Sequence, residues 1–239
     1  MVRGFATLKK IKEKCCEWVP LLWVDLKVSW YNFTEYLKVV FRYYRNVKFL
    51  LADLTLLSAY LFKNPYKISK AFLQKKGEKN IHAYGETPIT TLDSICKKVG
   101  ITDQDVVYEL GCGRGRTCFW ISQVIGAKTV GMEIIPDFVS SAQGVVDKYA
   151  LKNLEFVLQD FKKANFKDAS VIYLYGTLLE ETAIRDLMNQ LAETKPGTSV
   201  ITISYPLTDY DNHGNFELMK RFPVKFPWGE TDAFMQIRN

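Results

Sequence analysis

Between residues 105 and 205 the chain alternates short β-rich runs with helix-patterned stretches, and this order restricts the fold more than any other feature. "DVVYEL" (105–110) leads directly into "GCGRGR", and a helix starts near Thr117 and runs to Gly126, a residue suited to a C-cap. "KTVGME" (128–133) reads as a second strand, Pro136 opens a helix to about Tyr149, and 154–160 and 170–176 read as strands three and four. A helix over 178–194, with Leu179, Ile184, Leu187 and Leu191 to one side, precedes a fifth strand at 197–205. Strands joined through helices by short links run parallel, so the pattern predicts an α/β fold with a doubly wound sheet. In such sheets ligands sit beyond the carboxyl ends of the strands, where the strand order reverses.

Three strand ends carry matching chemistry. Gly111, Gly113 and Gly115 follow strand one, where a tight turn needs residues that tolerate positive φ and let backbone approach a ligand. The spacing is E-x-G-x-G-x-G from Glu109. It is not the G-x-G-x-x-G of nicotinamide enzymes, because Arg116 takes the sixth position. Glu133 closes strand two, where an acid can bind both hydroxyls of a ribose. Asp160 closes strand three with Phe161 beside it. A carboxylate there can accept from an exocyclic amino group while the ring packs on a purine.

This layout resembles the class I S-adenosylmethionine-dependent methyltransferases across 81–239. The resemblance implies a seven-stranded Rossmann-like sheet, closed by an antiparallel pair at "LMKRFPVKF" and "TDAFMQIR" with Pro227-Trp228-Gly229 between them. It implies that Glu109, Gly111, Gly113 and Gly115 face the methionine part of S-adenosylmethionine, Glu133 the ribose, and Asp160 and Phe161 the adenine. Ahead of the glycines lies "HAYGETPIT" (82–90), which reads locally as a turn and a helix start: Thr87 as N-cap, Pro88 at N1, and Ile89, Leu92, Ile95 and Val99 on one face up to Gly100. The order Y-G-E-T, helix, strand, E-L-G-x-G-x-G is similar to the disruptor-of-telomeric-silencing family, the non-SET histone-lysine methyltransferases. In that family the loop borders the lysine channel, which implies Tyr84, Glu86 and Thr87 at the cofactor site. The strand-five ending "SYPL" is similar to small lysine methyltransferases acting on membrane-embedded proteins of energy-converting organelles and bacteria.

The substrate half matches less well. The histone enzymes carry asparagine after strand four, whereas Tyr175-Gly176-Thr177 stands here. No N-P-P-Y is present, which argues against methylation of a base amino group. A lysine must lose its proton before attack, and an aromatic channel favours the neutral amine. Tyr84, Tyr175 and Trp228 are the candidate walls and so the candidate catalytic residues. The expectation is N-methylation of lysine on a protein substrate. Methylation of a small molecule or RNA, and a docking module with a decayed site, are the alternatives.

Residues 1–80 differ in kind. They hold 16 Lys/Arg against 6 Asp/Glu, while 81–239 hold 16 against 20, so a front of +10 is joined to a rear of −4. They divide the chain into a helical, basic, aromatic-rich docking extension (1–80) and a catalytic domain (81–239). From Pro20 a helix of roughly 25 residues is expected, with Leu22, Leu26, Trp30, Phe33, Leu37, Val40, Phe41 and Tyr44 on its apolar face and Glu35, Lys38 and Arg42 opposite. "FLLADLTLLSAYLF" (49–62) falls short of the roughly 20 apolar residues of a membrane span, and suits a buried or interfacial helix. Aromatics interleaved with Lys and Arg suit a solvated bundle, a lipid headgroup layer, or stacked bases. Lys9 to Lys14 followed by an apolar run broken at Asp25 is not a signal-peptide pattern. Cys15-Cys16 beside these lysines reads as two thiols or an acylation site. Five cysteines without paired spacing predict free thiols in a reducing compartment such as the cytoplasm, and with two histidines no metal site is expected.

Overall fold

The structure, a computed structural model, describes residues 26–239 except Ala83 and Leu178. The expected helix start at Pro20, and Cys15, Cys16, Trp18 and Trp23, lie outside the described residues. Three helices come first: α1 (26–43), α2 (Val47–Ala59) and α3 (Pro65–Lys76), with Asn46 and Asn64 capping α2 and α3 through their side chains. Then follow α4 (Ile89–Val99), β1 (Val106–Leu110), α5 (Arg116–Trp120, continued by a π turn to Ile125), β2 (Lys128–Glu133), α6 (Pro136–Tyr149), β3 (Leu154–Leu158), β4 (Val171–Leu174), α7 (Glu181–Leu191), β5 (Ser199–Ile203), β6 (Phe216–Phe226) and β7 (Gly229–Arg238).

The seven strands order as β3-β2-β1-β4-β5-β7-β6. β1 to β5 run parallel, and β7 runs antiparallel to both β5 and β6, as the resemblance implied. The order reverses between β1 and β4, so the ligand crevice opens beyond Leu110 and Leu174. Strand side chains alternate between two apolar layers: Val107 joins one with Leu92, Trp120 and Phe138, and Tyr108 joins the other with Ile172, Leu187 and Leu191.

The first layer takes in Val39, Tyr43, Phe49, Ala52 and Leu56, so α1 and α2 share a continuous core with the sheet. The buried face of α1 is not the expected one. Glu35, Val39 and Tyr43 are buried, whereas Trp30, Phe33, Leu37 and Phe41 are exposed. Apolar residues lie all around this helix, and specific partners decide which face turns inward. Tyr43 packs edge-on against Trp120 at 5.4 Å, and Glu35 reaches the start of α4. α2 is half-buried: Leu51 and Leu54 face outward on the side opposite Ala52 and Asp53. Among the described residues no helix is long and apolar enough to cross a membrane.

Candidate active site

The turn after β1 is shaped from below and above. Gly115 precedes α5 at φ 78°, and a Cβ there would fall far inside contact distance of the Phe156 ring on β3. Gly113 lies under Tyr84, whose Cε2 would stand 3.0 Å from an added Cβ. Gly111 is the exposed one: its nearest neighbour would be Phe161 Cε1 at 4.0 Å, so this backbone faces open crevice.

Two buried carboxylates flank the turn. Glu133 accepts from Gly113 N at 2.8 Å with one oxygen, and from Ile134 N and Ile135 N at 2.7 and 3.0 Å with the other. It thereby ties the ends of β1 and β2 together, and burial raises its pKa. Glu109 accepts from Thr117 Oγ1 at 2.7 Å and from Cys118 Sγ at 3.0 Å. Burial pushes its carboxyl up to about 7, against the lowering effect of those two hydrogen bonds and with the carboxylates of Glu86 and Glu133 adding to the rise.

The 84–88 loop is latched onto the glycine turn. Glu86 takes a bidentate pair from Arg114 at 2.6 and 2.7 Å and also accepts from the Tyr84 hydroxyl. Burial alone would raise the Glu86 pKa, but the Arg114 guanidinium outweighs it and holds the carboxyl below its ordinary value. Tyr84 packs between Tyr66 of α3, edge-on at 5.0 Å, and Phe138 of α6, tilted at 5.3 Å. Thr87 is not a helix cap. α4 begins at Ile89 with no cap from its own chain neighbours. The Thr87 hydroxyl pairs with Tyr173 at 2.6 Å, and Glu35 of α1 takes both the Thr90 amide (2.8 Å) and hydroxyl (2.6 Å). A remote carboxylate has replaced the local cap that Ser/Thr/Asp residues usually provide.

A crevice of about 470 Å³ runs along the strand ends, within the range of cofactor pockets. Tyr84, Gly111, Glu133, Asp160, Phe161 and Tyr175 all line it. A small inner chamber adjoins it, lined by Glu86, Thr87, Glu109, Gly111, Arg116 and Tyr175. Gly113 and Gly115 line neither and act on the turn's shape. Asp160 receives the Lys162 amide at 3.0 Å and starts a short 3₁₀ turn that presents Phe161. Trp228 is not a wall. It is 55% exposed at the β6–β7 turn, stacks on Phe226 at 5.2 Å, and donates to the Tyr175 hydroxyl at 2.9 Å. Trp228 does not line the crevice itself and meets it through Tyr175.

Sequence reading missed several participants. Ser69 and Leu73 of α3, buried residues in the segment assigned to docking, line the crevice. Arg114, inside the glycine pattern, and Arg116, directly after it, carry ion pairs to Glu86 and Asp53. The one available signal was Asp53, a lone acid inside the most apolar stretch, which requires a buried partner. Among the described residues no cluster could hold a metal ion.

Residues 109–213 match the family described as "ANTKMT methyltransferase domain". The chain has the class I methyltransferase fold. It is 28% identical over 158 residues to an H3 lysine-79 specific histone-lysine N-methyltransferase of Dictyostelium discoideum, covering 59% of this chain and 8% of that protein. It is 23% identical over 130 residues to a protein-lysine N-methyltransferase of Saccharolobus islandicus, covering 54% of this chain and 80% of that one. The match thus spans less than a tenth of the Dictyostelium protein. Among solved structures, an RNA methyltransferase from Salinibacter ruber in complex with S-adenosyl-L-homocysteine superposes with a TM-score of 0.52 at 25% identity, covering 64% of this chain and 94% of that one.

S-adenosylmethionine is the cofactor that the resemblance implies, and the residues present fit it. An open backbone turn, a buried acid at the end of β2, an aromatic ring beside an acid after β3, and a chamber holding a carboxylate of raised pKa meet the needs of its parts. A pH dependence follows. Below pH 7 Glu109 is mainly protonated and offers no charge to an incoming ammonium; above it the carboxylate does. Donor affinity should therefore rise about tenfold between pH 6 and pH 8 with release of a proton, and this slope should vanish in Glu109→Gln. Stability of the unliganded chain runs the other way. Its folded-state carboxyl binds the proton more tightly than the unfolded one, so this group's contribution falls from about pH 4.5 to 7. Calorimetric titration between about pH 6 and pH 8 checks the first statement, and thermal unfolding between about pH 4.5 and 7 the second.

Proposed function

We propose that the chain transfers the methyl group of S-adenosylmethionine to the side-chain nitrogen of a lysine in a protein. The observation that carries this reading is the wall between the crevice and the outside. Tyr175 lies so close to Gly85 that an added Cβ would stand 2.8 Å from its ring, and Tyr84, over Gly113, lines the same crevice. Burial raises the pKa of both phenols, so the wall is neutral and aromatic. Such a surface strips water from an ammonium and favours its neutral form, which an amine with a reference pKa of about 10.4 requires before it can attack. When bound, the cofactor supplies a methyl group activated by its sulfonium. The residues contribute alignment and exclusion of water. Glu86, the carboxylate that meets the Tyr84 hydroxyl, is already paired with Arg114, which fits proton loss to solvent. The two relatives named for lysine methylation support the same substrate class.

The test is labelling. With radiolabelled donor and a lysate, a protein band should carry the label, and hydrolysis should return it as N-methyl-lysine. Label confined to RNA, the substrate class in the name of the Salinibacter neighbour, or to a small-molecule fraction would replace this reading.

The outer surface of α1 and α2 supports a peripheral membrane contact, and a cytoplasmic or other reducing compartment fits the thiols. Trp30, Phe33, Phe41 and Phe62 are exposed there with Arg42, Arg45 and Lys48 among them. Cys96, Cys112 and Cys118 are free thiols. Sedimentation with vesicles containing phosphatidylserine should carry the native chain down and leave Phe41→Glu, Phe62→Glu in solution. Equal behaviour of the two would reject the contact.

A further inference from the structure

Asp53 lies in the middle of α2, fully buried, in a helix that the sheet does not need for its topology. A lone carboxylate there demands a partner. Its Oδ1 and Oδ2 accept from Arg116 Nε and Nη2 at 2.7 and 2.9 Å, and Oδ2 also accepts from the Tyr44 hydroxyl at 2.9 Å. Arg116 is the first residue of α5, directly after the glycine turn. A cation at that end of a helix is opposed by the positive end of the helix dipole, so Arg116 is not placed there for helix stability. Its side chain is 18% exposed and forms part of the inner chamber that also holds Glu86 and Glu109. Glu86 is already paired with Arg114, and Glu109 with Thr117 and Cys118. Asp53 holds the Nε edge of the guanidinium fork, and among the described residues nothing claims the Nη1 edge. A guanidinium can serve two carboxylates from its two edges.

We propose that Arg116 receives the carboxylate of the donor's amino-acid end, and that Asp53, a positioning residue acting from α2, fixes Arg116 in the orientation that does so. The amino-terminal helices then set donor affinity as well as surface contact. This rests on the methyl-donor site and not on the choice of lysine as acceptor. The neighbouring acids suit the other pole of the same zwitterion: Glu109, whose carboxyl accepts only from a hydroxyl and a thiol, is the acceptor for the ammonium.

The experiment measures dissociation constants for S-adenosylmethionine and for its decarboxylated analogue, which has no carboxylate, on the full chain and on Asp53→Asn. Asp53→Asn keeps the side-chain shape and loses the charge. It should weaken S-adenosylmethionine about tenfold and change the decarboxylated analogue less than twofold. Tyr44→Phe, which removes one hydrogen bond from Asp53 and disturbs the fold least, should show the same selectivity at about threefold. Equal losses for both ligands, or a lower unfolding temperature with no change in either constant, would make the pair a fold brace only and overturn the proposal. A native chain that binds neither ligand would remove the donor site itself, and the proposal with it.

Discussion

Alanine at Glu133 should weaken S-adenosylmethionine binding by at least about 100-fold while the chain stays folded. Hydrogen bonds to a charged acceptor are each worth roughly 1.5–3 kcal/mol, and a ribose offers two hydroxyls to this carboxylate, so the sum passes the roughly 2.7 kcal/mol that separates 100-fold in affinity. The geometry adds a second loss. Glu133 already organises the amides of Gly113, Ile134 and Ile135, and without it the glycine turn loses the contact that ties it to β2. Because the crevice admits water, these amides are rehydrated, and the expected stability cost is about 1–2 kcal/mol, below the cost in affinity. Glu133→Gln should fall between, since one amide oxygen can still accept but the charge is gone. Calorimetric titration with the donor, beside circular dichroism of the free chain, measures both. A dissociation constant within threefold of native would remove Glu133 from the donor site.

Two glycines four residues apart should fail in opposite ways. In Gly111→Arg the new side chain enters the open crevice, so donor binding and methyl transfer should be lost. Only the positive φ of 72° opposes folding, at about 1–2 kcal/mol. In Gly115→Ala a single methyl group meets the Phe156 ring, which is itself packed against Phe119 and under Gly131. Overpacking of this kind costs typically 1–3 kcal/mol, and the positive φ adds about another 1–2, which together are a large fraction of a domain's stability. The expected result is a chain that loses its cooperative unfolding transition or melts well below the native one, whereas Gly111→Arg melts close to it. Denaturant titration of both, followed by fluorescence, separates them. A stable Gly115→Ala chain, or a Gly111→Arg chain that turns over normally, would contradict this division of labour.

The parallel sheet was legible because its signals are local. A β-rich run, a glycine or an acid at its end and a helix behind it can each be read within ten residues, and β2 and α6 fall where the pattern placed them. What stayed hidden is carried by pairs distant in sequence. The Glu35–Thr90 bond spans 55 positions, Arg116–Asp53 spans 63 and Thr87–Tyr173 spans 86, and no periodicity reports them. The same reason explains the errors. Thr87-Pro88 obeys the local rule for a helix start, yet Thr87 spends its hydroxyl on Tyr173 because Glu35 serves the helix instead. The apolar stripe of α1 is real, but a helix with aromatics on every side takes its orientation from one carboxylate and one tyrosine. At the site the strand-end acids could be placed from sequence, while Arg114 and Arg116 in and after the glycine turn could not, since their meaning depends on the 84–88 loop and on α2.

The position of β7 between β5 and β6 has a consequence for the order of assembly. β6 precedes β7 in the chain, yet it touches the sheet only through β7, to which it pairs from Phe216↔Arg238 to Phe226↔Gly229. As synthesis proceeds, β1 to β5 can form their parallel core in turn, but β6 emerges with no strand to pair with. Its eleven residues wait as an unpaired ribbon until β7 arrives and slots in between. Loss of β7 would therefore remove an interior strand, leaving the flank of β5 bare and β6 adrift. The lysines, the arginine and the proline along β6 (Lys220, Arg221, Pro223, Lys225) then have a duty in the nascent chain, keeping that waiting ribbon from pairing with its copy on a neighbouring polypeptide.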